Sequence, residues 1–230
     1  MEGGGVGVGG VEGVGARVSP EALRRWADEG TGIALSVAGR GSQAIAEGIA
    51  EHRCDLGIVF GSSPRADLLE LAQMSQPLCA VVSPRHPLAR QSRCTLAEVA
   101  AYQVVLLDRS FGIRHLVDRV SANAQFTLKK TVETNTLAFA QRLVMQSQNR
   151  VTFLPGDMVL PEIEAGMLVA VPLSDSVLRK TGVTLVASTT RKLSQVARHL
   201  ARHLSEHMKS NDSAMRTHSR SSARPRLTAQ

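Results

Sequence analysis

Three polar clusters stand where this chain turns from strand or loop into helix, and their residue types suit the capture of an anion. Ser42 and Gln43 follow the glycine turn Gly39-Arg-Gly41, Ser110 follows Asp108-Arg109, and Thr134-Asn135-Thr136 follows Glu133. A helix start offers unpaired backbone N–H groups and the positive end of the helix dipole, which together can receive a carboxylate or a phosphate. Arg40 and Arg114 are candidate counter-charges for such a ligand, and Phe111 and Phe153 are candidate apolar walls. A plainer alternative stands beside this reading. Each hydroxyl or amide is then only an N-cap, worth about 1 kcal/mol of helix stability, the arginines are solvated surface and the phenylalanines are core.

Other chemistries find little support. His199, His203 and His207 recur every fourth residue, a spacing that can chelate a metal on one helix face. They lie beside an apolar stripe with no carboxylate or cysteine pairing, so a solvated face is the expectation. His86 precedes proline in a turn. Cys54, Cys79 and Cys94 are an odd set whose spacing matches neither a zinc site nor a disulfide framework, and Cys79 sits in an apolar run as a core residue. There is no Gly-x-Ser-x-Gly elbow, Walker loop, His-Glu-x-x-His or Cys-x-x-Cys. Neither an enzyme nor a metal or cofactor is expected.

The elements that would position the clusters are legible from periodicity. Residues 33–37 alternate as a strand, Ile45 and Ile49 share a helical face, and residues 55–60 form a nearly all-apolar strand, completing a β–α–β unit. Strands without polar alternation are buried on both faces, as in a parallel sheet covered by helices, where ligands gather at the carboxyl ends of strands. Ser19-Pro20 starts a helix over 20–29, and a poor first strand is read around 6–14. Further strands are read at 78–82, 104–107, 128–132, 151–154, 168–171 and 183–187, with 64–71 as a connection. Thr95-Leu-Ala-Glu98 has the form of a capping box. Ile113, Leu116, Val117 and Val120 follow the spacing of an amphipathic helix, Leu137, Ala140 and Val144 mark another, and Ser194 caps a last one through Val196, Leu200 and Leu204. Strand and helix alternate throughout, which predicts an α/β protein with right-handed crossovers.

Composition sets the outer limits. The 230 residues are 43% hydrophobic and 20% charged, with five Phe, one Trp and one Tyr, so the core is mainly aliphatic. No apolar run approaches the roughly 20 residues that cross a bilayer, and the amino terminus lacks the basic and apolar regions of an export signal. A reduced cytoplasm is the expected location, with no membrane partner. Of the net charge of +7, residues 209–230 contribute +4, from five basic residues against Asp212. That segment is rich in Ser, Arg and Thr and is expected to be a disordered basic tail.

Eight segments in register make the chain resemble the effector-binding part of LysR-type transcriptional regulators. They are Gly-Ser at 41–42, Cys-Asp-Leu-Gly-Ile-Val at 54–59, His-Pro-Leu-Ala at 86–89, Thr-Leu-Ala-Glu-Val at 95–99, Ser-Phe-Gly-Ile-Arg at 110–114, Phe-Leu-Pro at 153–155, the run 162–173, and Leu-Ser-Gln-Val-Ala-Arg at 193–198. The resemblance implies a periplasmic-binding-protein-like (type 2) fold, two α/β lobes, each a mainly parallel sheet flanked by helices, joined by two crossover strands. After a start at 1–15 that composition marks as glycine-rich low complexity, it implies lobe I at 16–82 plus 184–208, and lobe II at 83–183. A small, anionic effector is expected between the lobes, contacted at Arg40, Ser42, Gln43, Ser110, Phe111, Gly112, Arg114, Thr134, Asn135, Thr136 and Phe153. The implied assembly is a side-by-side homodimer. With only about 30 residues ahead of Ile33, the family's winged helix-turn-helix is expected to be missing, and DNA to be reached only through such an N-terminal domain. The alternatives are a stand-alone solute-binding protein and an enzyme on a similar two-lobed fold.

Overall fold

The computed structural model describes residues 6–10, 24, 35–39, 41–61 and 65–221. The helix expected over 20–29 lies, but for Arg24, outside the described residues, as does Arg40. Among the described residues ten strands form two five-stranded sheets. The first sheet contains β1 (Val6–Gly10), β2 (Leu35–Gly39), β3 (Leu56–Phe60), β4 (Leu68–Ser75) and β10 (Gly182–Ser188), in the order β2-β1-β3-β10-β4. The second contains β5 (Leu78–Val82), β6 (Gln103–Leu107), β7 (Lys129–Thr134), β8 (Arg150–Pro155) and β9 (Val169–Pro172), in the order β7-β6-β8-β5-β9. Each sheet and its helices make one lobe, as the family resemblance implies. Among the described residues no helix is long and apolar enough to cross a membrane.

The sheets are mixed rather than mainly parallel. In the first, β2-β1 and β1-β3 are parallel, whereas β10 runs antiparallel to both β3 and β4. In the second, β6 is parallel to β7 and β8, and β5 is antiparallel to β8 and β9. The physical reason is the crossover itself: β5 enters the second lobe, and β10 returns to the first, against the direction of their neighbours. The all-apolar runs of β3 and β5 are buried at every position, as strands covered on both faces must be.

Several expectations shift at the boundaries. The strand at 78–82 belongs to the second sheet, paired with Phe153 and Val171 through Ala80, so the first lobe ends at Ser75 and not at residue 82. Of the segment read as a connection, 64–71, residues 68–71 are instead the first half of β4, whose burial changes face midway and so hides the period-two signal. Residues 6–10 lie in the stretch read as a glycine-rich low-complexity start and also within the poor first strand read around 6–14. They form β1, an interior strand of the first sheet, with Val6 and Val8 buried.

Among the described residues seven α-helices cover the sheets: α1 (Ser42–Ala50), α2 (Leu96–Val99), α3 (Gly112–Asn123), α4 (Leu137–Met145), α5 (Leu160–Glu164), α6 (Ser176–Arg179) and α7 (Gln195–Ser221). Helix α1 lies close on β3 because Gly57 has no side chain there; a Cβ would stand 2.5 Å from Ile45 Cγ2 and 2.7 Å from Ile49 Cδ1. The capping box forms at α2, where Glu98 N donates to Thr95 Oγ1 and Thr95 N to Glu98 Oε2. The tail expected to be disordered from residue 209 continues α7 as far as Ser221. Buried Met208 and the carboxylate of Asp212, which accepts from Ser75 N at 2.9 Å, hold it against the end of β4.

His86 gives the second lobe a pH dependence. It is buried, its Nδ1 accepts from Leu88 N at 3.1 Å, and its Nε2 has no partner among the described residues. Desolvation by burial therefore pushes its pKa below the usual 6.5. The unfolded chain takes up a proton near pH 6.5 while the folded one resists, so stability declines as pH falls from about 6.5 through the lower folded value. Urea melts between pH 7.5 and 5 should show this slope, and His86→Asn, which keeps an acceptor for Leu88 N, should flatten it.

Candidate binding site between the two sheets

Helices α1 and α3 each begin at the carboxyl end of a parallel strand, and the two starts meet across the lobes. Contact there is backbone-close. A Cβ on Gly41 would collide with the carbonyl of Ser110, and a Cβ on Gly112 would collide with the carbonyl of Phe60 and stand 3.1 Å from Ser42 Oγ. One glycine from each lobe thus lets the other lobe's main chain approach. Ser42 is the first residue of α1 and not its cap. Gly41 is the N-cap, and Ser42 Oγ accepts from Phe60 N at 3.0 Å, tying the helix start to the end of β3.

Beside this contact lies a cavity of about 650 Å³. Lobe I supplies Ser42, Gln43, Arg65, Glu70 and Thr184, and lobe II supplies Gly112, His115, Leu116 and Arg119 from successive turns of α3. Three of the expected site residues, Ser42, Gln43 and Gly112, therefore line one space. Gln43 Nε2 donates to Glu47 at 3.0 Å. Arg65 is held by a bidentate pair with Asp67, at 3.0 and 2.7 Å. Arg119 and His115 are exposed and make no ion pair among the described residues.

The other expected contacts lie elsewhere. Ser110 does not cap α3; its N–H and Oγ–H both donate to Asp108 Oδ1, at 2.9 and 2.6 Å, and the N-cap is Phe111. Phe111 and Phe153 are core residues, 3% and 2% exposed, because Phe153 lies within β8, a strand buried along most of its length, and Phe111 follows the sealed end of β6. Arg114 is no counter-charge for a ligand. Its guanidinium is buried, with Nε donating to both oxygens of Asp118 and Nη1 donating to Leu107 carbonyl oxygen at 2.9 Å and Glu133 Oε2 at 2.6 Å. Hydrogen bonds from Arg114 first, and then Lys130, hold the Glu133 carboxyl down at about 2. Thr134 Oγ1 accepts from Thr136 N, and Asn135 and Thr136 are exposed; none of the three lines the cavity. Sequence reasoning missed Arg65, Glu70, His115 and Arg119. The last two were within reach, since they lie three and seven residues beyond Gly112 on one face of an amphipathic helix.

The sequence profile of the LysR substrate binding domain matches residues 2–209. The chain belongs to that family. It is similar to the HTH-type transcriptional regulator BbuR of Bordetella bronchiseptica, 24% identical over 180 residues that cover 78% of this chain and 53% of the regulator. The chain thus spans about half the length of that relative. Among solved structures, the effector binding domain of QuiR in complex with shikimate superposes with a TM-score of 0.77 at 18% identity, covering 90% of this chain and 98% of that one. The Synechocystis PCC6803 CcmR regulatory domain in complex with 2-PG gives 0.77 at 14% identity, covering 89% and 97%. A full-length mutant of BenM gives 0.75 at 16%, covering 90% and 68%. At these identities the likeness is one of fold, and the fold is that of LysR effector-binding domains. Within the family, the chain is a ligand-sensing regulatory domain.

Proposed function

We propose that this domain binds one small anionic metabolite in the cavity between the lobes and that the ligand sets the inter-lobe angle of a transcriptional regulator. The observation that carries this reading is a cavity of about 650 Å³ built by both lobes, lined by exposed Arg119 and His115, which make no ion pair among the described residues, by Arg65, already paired with Asp67, and by one carboxylate, Glu70. That volume lies in the range of small-molecule sites. Ser42 sits between the lobes with one of its two lone pairs accepting from Phe60 N and its O–H positioned to donate to a ligand oxygen. A ligand touching both lobes favours the closed arrangement by its differential affinity, and that shift is what a regulator can pass to its DNA-binding part. The working assembly in this reading is a cytoplasmic homodimer, which light scattering on the purified domain would detect at twice the monomer mass. The likeness to domains solved with shikimate and with 2-PG supports a small-ligand site.

Thermal-shift screening against amino acids, aromatic acids and phosphorylated metabolites tests the reading. Acids should raise the melting temperature, and neutral analogues of the same acids should not. For any hit, Ser42→Ala and Gln43→Ala should each weaken affinity by about tenfold, the order expected for one lost hydrogen bond to a charged group. Gln43→Ala serves as the cleaner variant, because among the described residues the Gln43 side chain bonds only Glu47. Affinity unchanged in both variants would place the ligand elsewhere.

A further inference from the structure

A second cavity, of about 580 Å³, lies behind the cleft where the chain crosses between the lobes. Thr181 and Ser75, at the ends of the two crossing segments, line it, and the segments are laced together beside it: Gln76 N donates to Thr181 carbonyl oxygen at 2.8 Å, and Thr181 Oγ1 donates back to Gln76 carbonyl oxygen at 2.7 Å. Its walls come from both lobes, with Ser75 and Asp212 on one side and Arg119, Ser176 and Lys180 on the other. Any change in the inter-lobe angle must alter its shape.

The charges around it are unevenly satisfied. Asp212, the carboxylate among its lining residues, accepts from Ser75 N. Arg119 and Lys180 are exposed and make no ion pair among the described residues, whereas Arg53, Arg65 and Arg114 are all paired with carboxylates. Hydroxyls of Ser176 and Ser75 stand among the lining residues as further donors. Gly61, Leu116, Arg119 and Thr184 line both cavities, so this space adjoins the cleft and Arg119 borders each.

We propose that this hinge cavity is a second ligand site, taking a small oxyanion between Lys180 and Arg119, and that its occupancy biases the inter-lobe angle. The site does not depend on the cleft binding an effector. Ligand in either compartment pulls on the same arginine, so the two sites are coupled, and by linkage each changes the affinity of the other by the same factor.

The test uses the intact domain labelled with nitrogen-15 and titrated with sodium phosphate at constant ionic strength, with sodium chloride as the matched control. The expected result is a saturable shift of the Ser75, Val177 and Thr181 amides that chloride does not reproduce. Lys180→Gln should weaken that response at least tenfold while any phosphate response of the Ser42 and Gln43 amides persists; Arg119→Gln should weaken both. The proposal is overturned if the hinge amides move equally with chloride, if they do not saturate, or if Lys180→Gln leaves their response unchanged. Silence at Ser42 and Gln43 with a preserved hinge response would count against the cleft reading alone.

Discussion

Gly112→Ala is expected to cost the protein its closed cleft while leaving each lobe folded. The added methyl would meet the Phe60 carbonyl, which is main chain in a buried strand, and would press on Ser42 Oγ. The Ser42 hydroxyl could turn aside, but the Phe60 carbonyl is main chain and cannot, so relief has to come from the lobes moving apart. Gly112 is the first residue of α3, where alanine is well tolerated by the helix itself. The lobe interiors therefore keep their packing and the clash is confined to the interface. Affinity for any acid found in the screen should fall more than tenfold, equivalent to at least about 1.4 kcal/mol. Small-angle scattering should show a larger radius of gyration than for the parent domain. Gly41→Ala should reproduce the effect from the opposite side, through Ser110. Unchanged affinity in both variants would mean that the approach of these two main chains is incidental to binding.

Arg114→Met should lower stability more than any single change at the other polar positions first read as ligand contacts. The guanidinium joins three elements of the second lobe: Asp118 on its own helix, the Leu107 carbonyl at the end of β6, and Glu133 on β7. Met keeps much of the buried stem and removes the bonds. Charged hydrogen bonds of this kind are worth roughly 1.5–3 kcal/mol, and for a chain of this length a loss of about 2–3 kcal/mol lowers the melting temperature by roughly 5–10 °C. Lysine should not restore it, because one compact ammonium lacks the planar fork that serves three separate acceptors. The same network predicts an acid limb. With the Glu133 carboxyl depressed to about 2 from 4.5, its contribution is fully present above pH 4.5 and is lost as pH falls from there through about 2. Arg114→Met should flatten that limb, and a parent-like melting curve in the variant would show the network to be dispensable.

The pattern of elements was legible because apolar period is a strong signal wherever a face is sealed. The strands at 55–60, 78–82 and 151–154 and the helices after Ser42 and Gly112 lie where periodicity put them. What periodicity could not supply was partnership. Nothing in Leu78-Cys-Ala-Val-Val82 says which sheet it joins, and β4 is half exposed and changes face, so it reads as a loop. The candidate site was legible in part for a similar reason. Ser42 and Gln43 mark a helix start, and helix starts gather at strand ends, whereas Gly112 came from the family resemblance and the start itself was read at Ser110; whether Arg114 points to a ligand or to Glu133 depends on a strand 19 residues further along. Arg65 and Glu70 carry no local signal at all.

The position of β10 between β3 and β4 has a consequence for biosynthesis. The strands of the second lobe, β5 to β9, are consecutive in the chain, so that lobe has every strand it needs once residue 172 has been made. The first lobe cannot join β3 to β4 until residues 182–188 have left the ribosome. The half that begins first is finished last, and long-range pairings of this kind form slowly. A nascent chain stalled before β10 would carry a completed second lobe beside an unclosed sheet whose β3 and β4 edges await their shared neighbour.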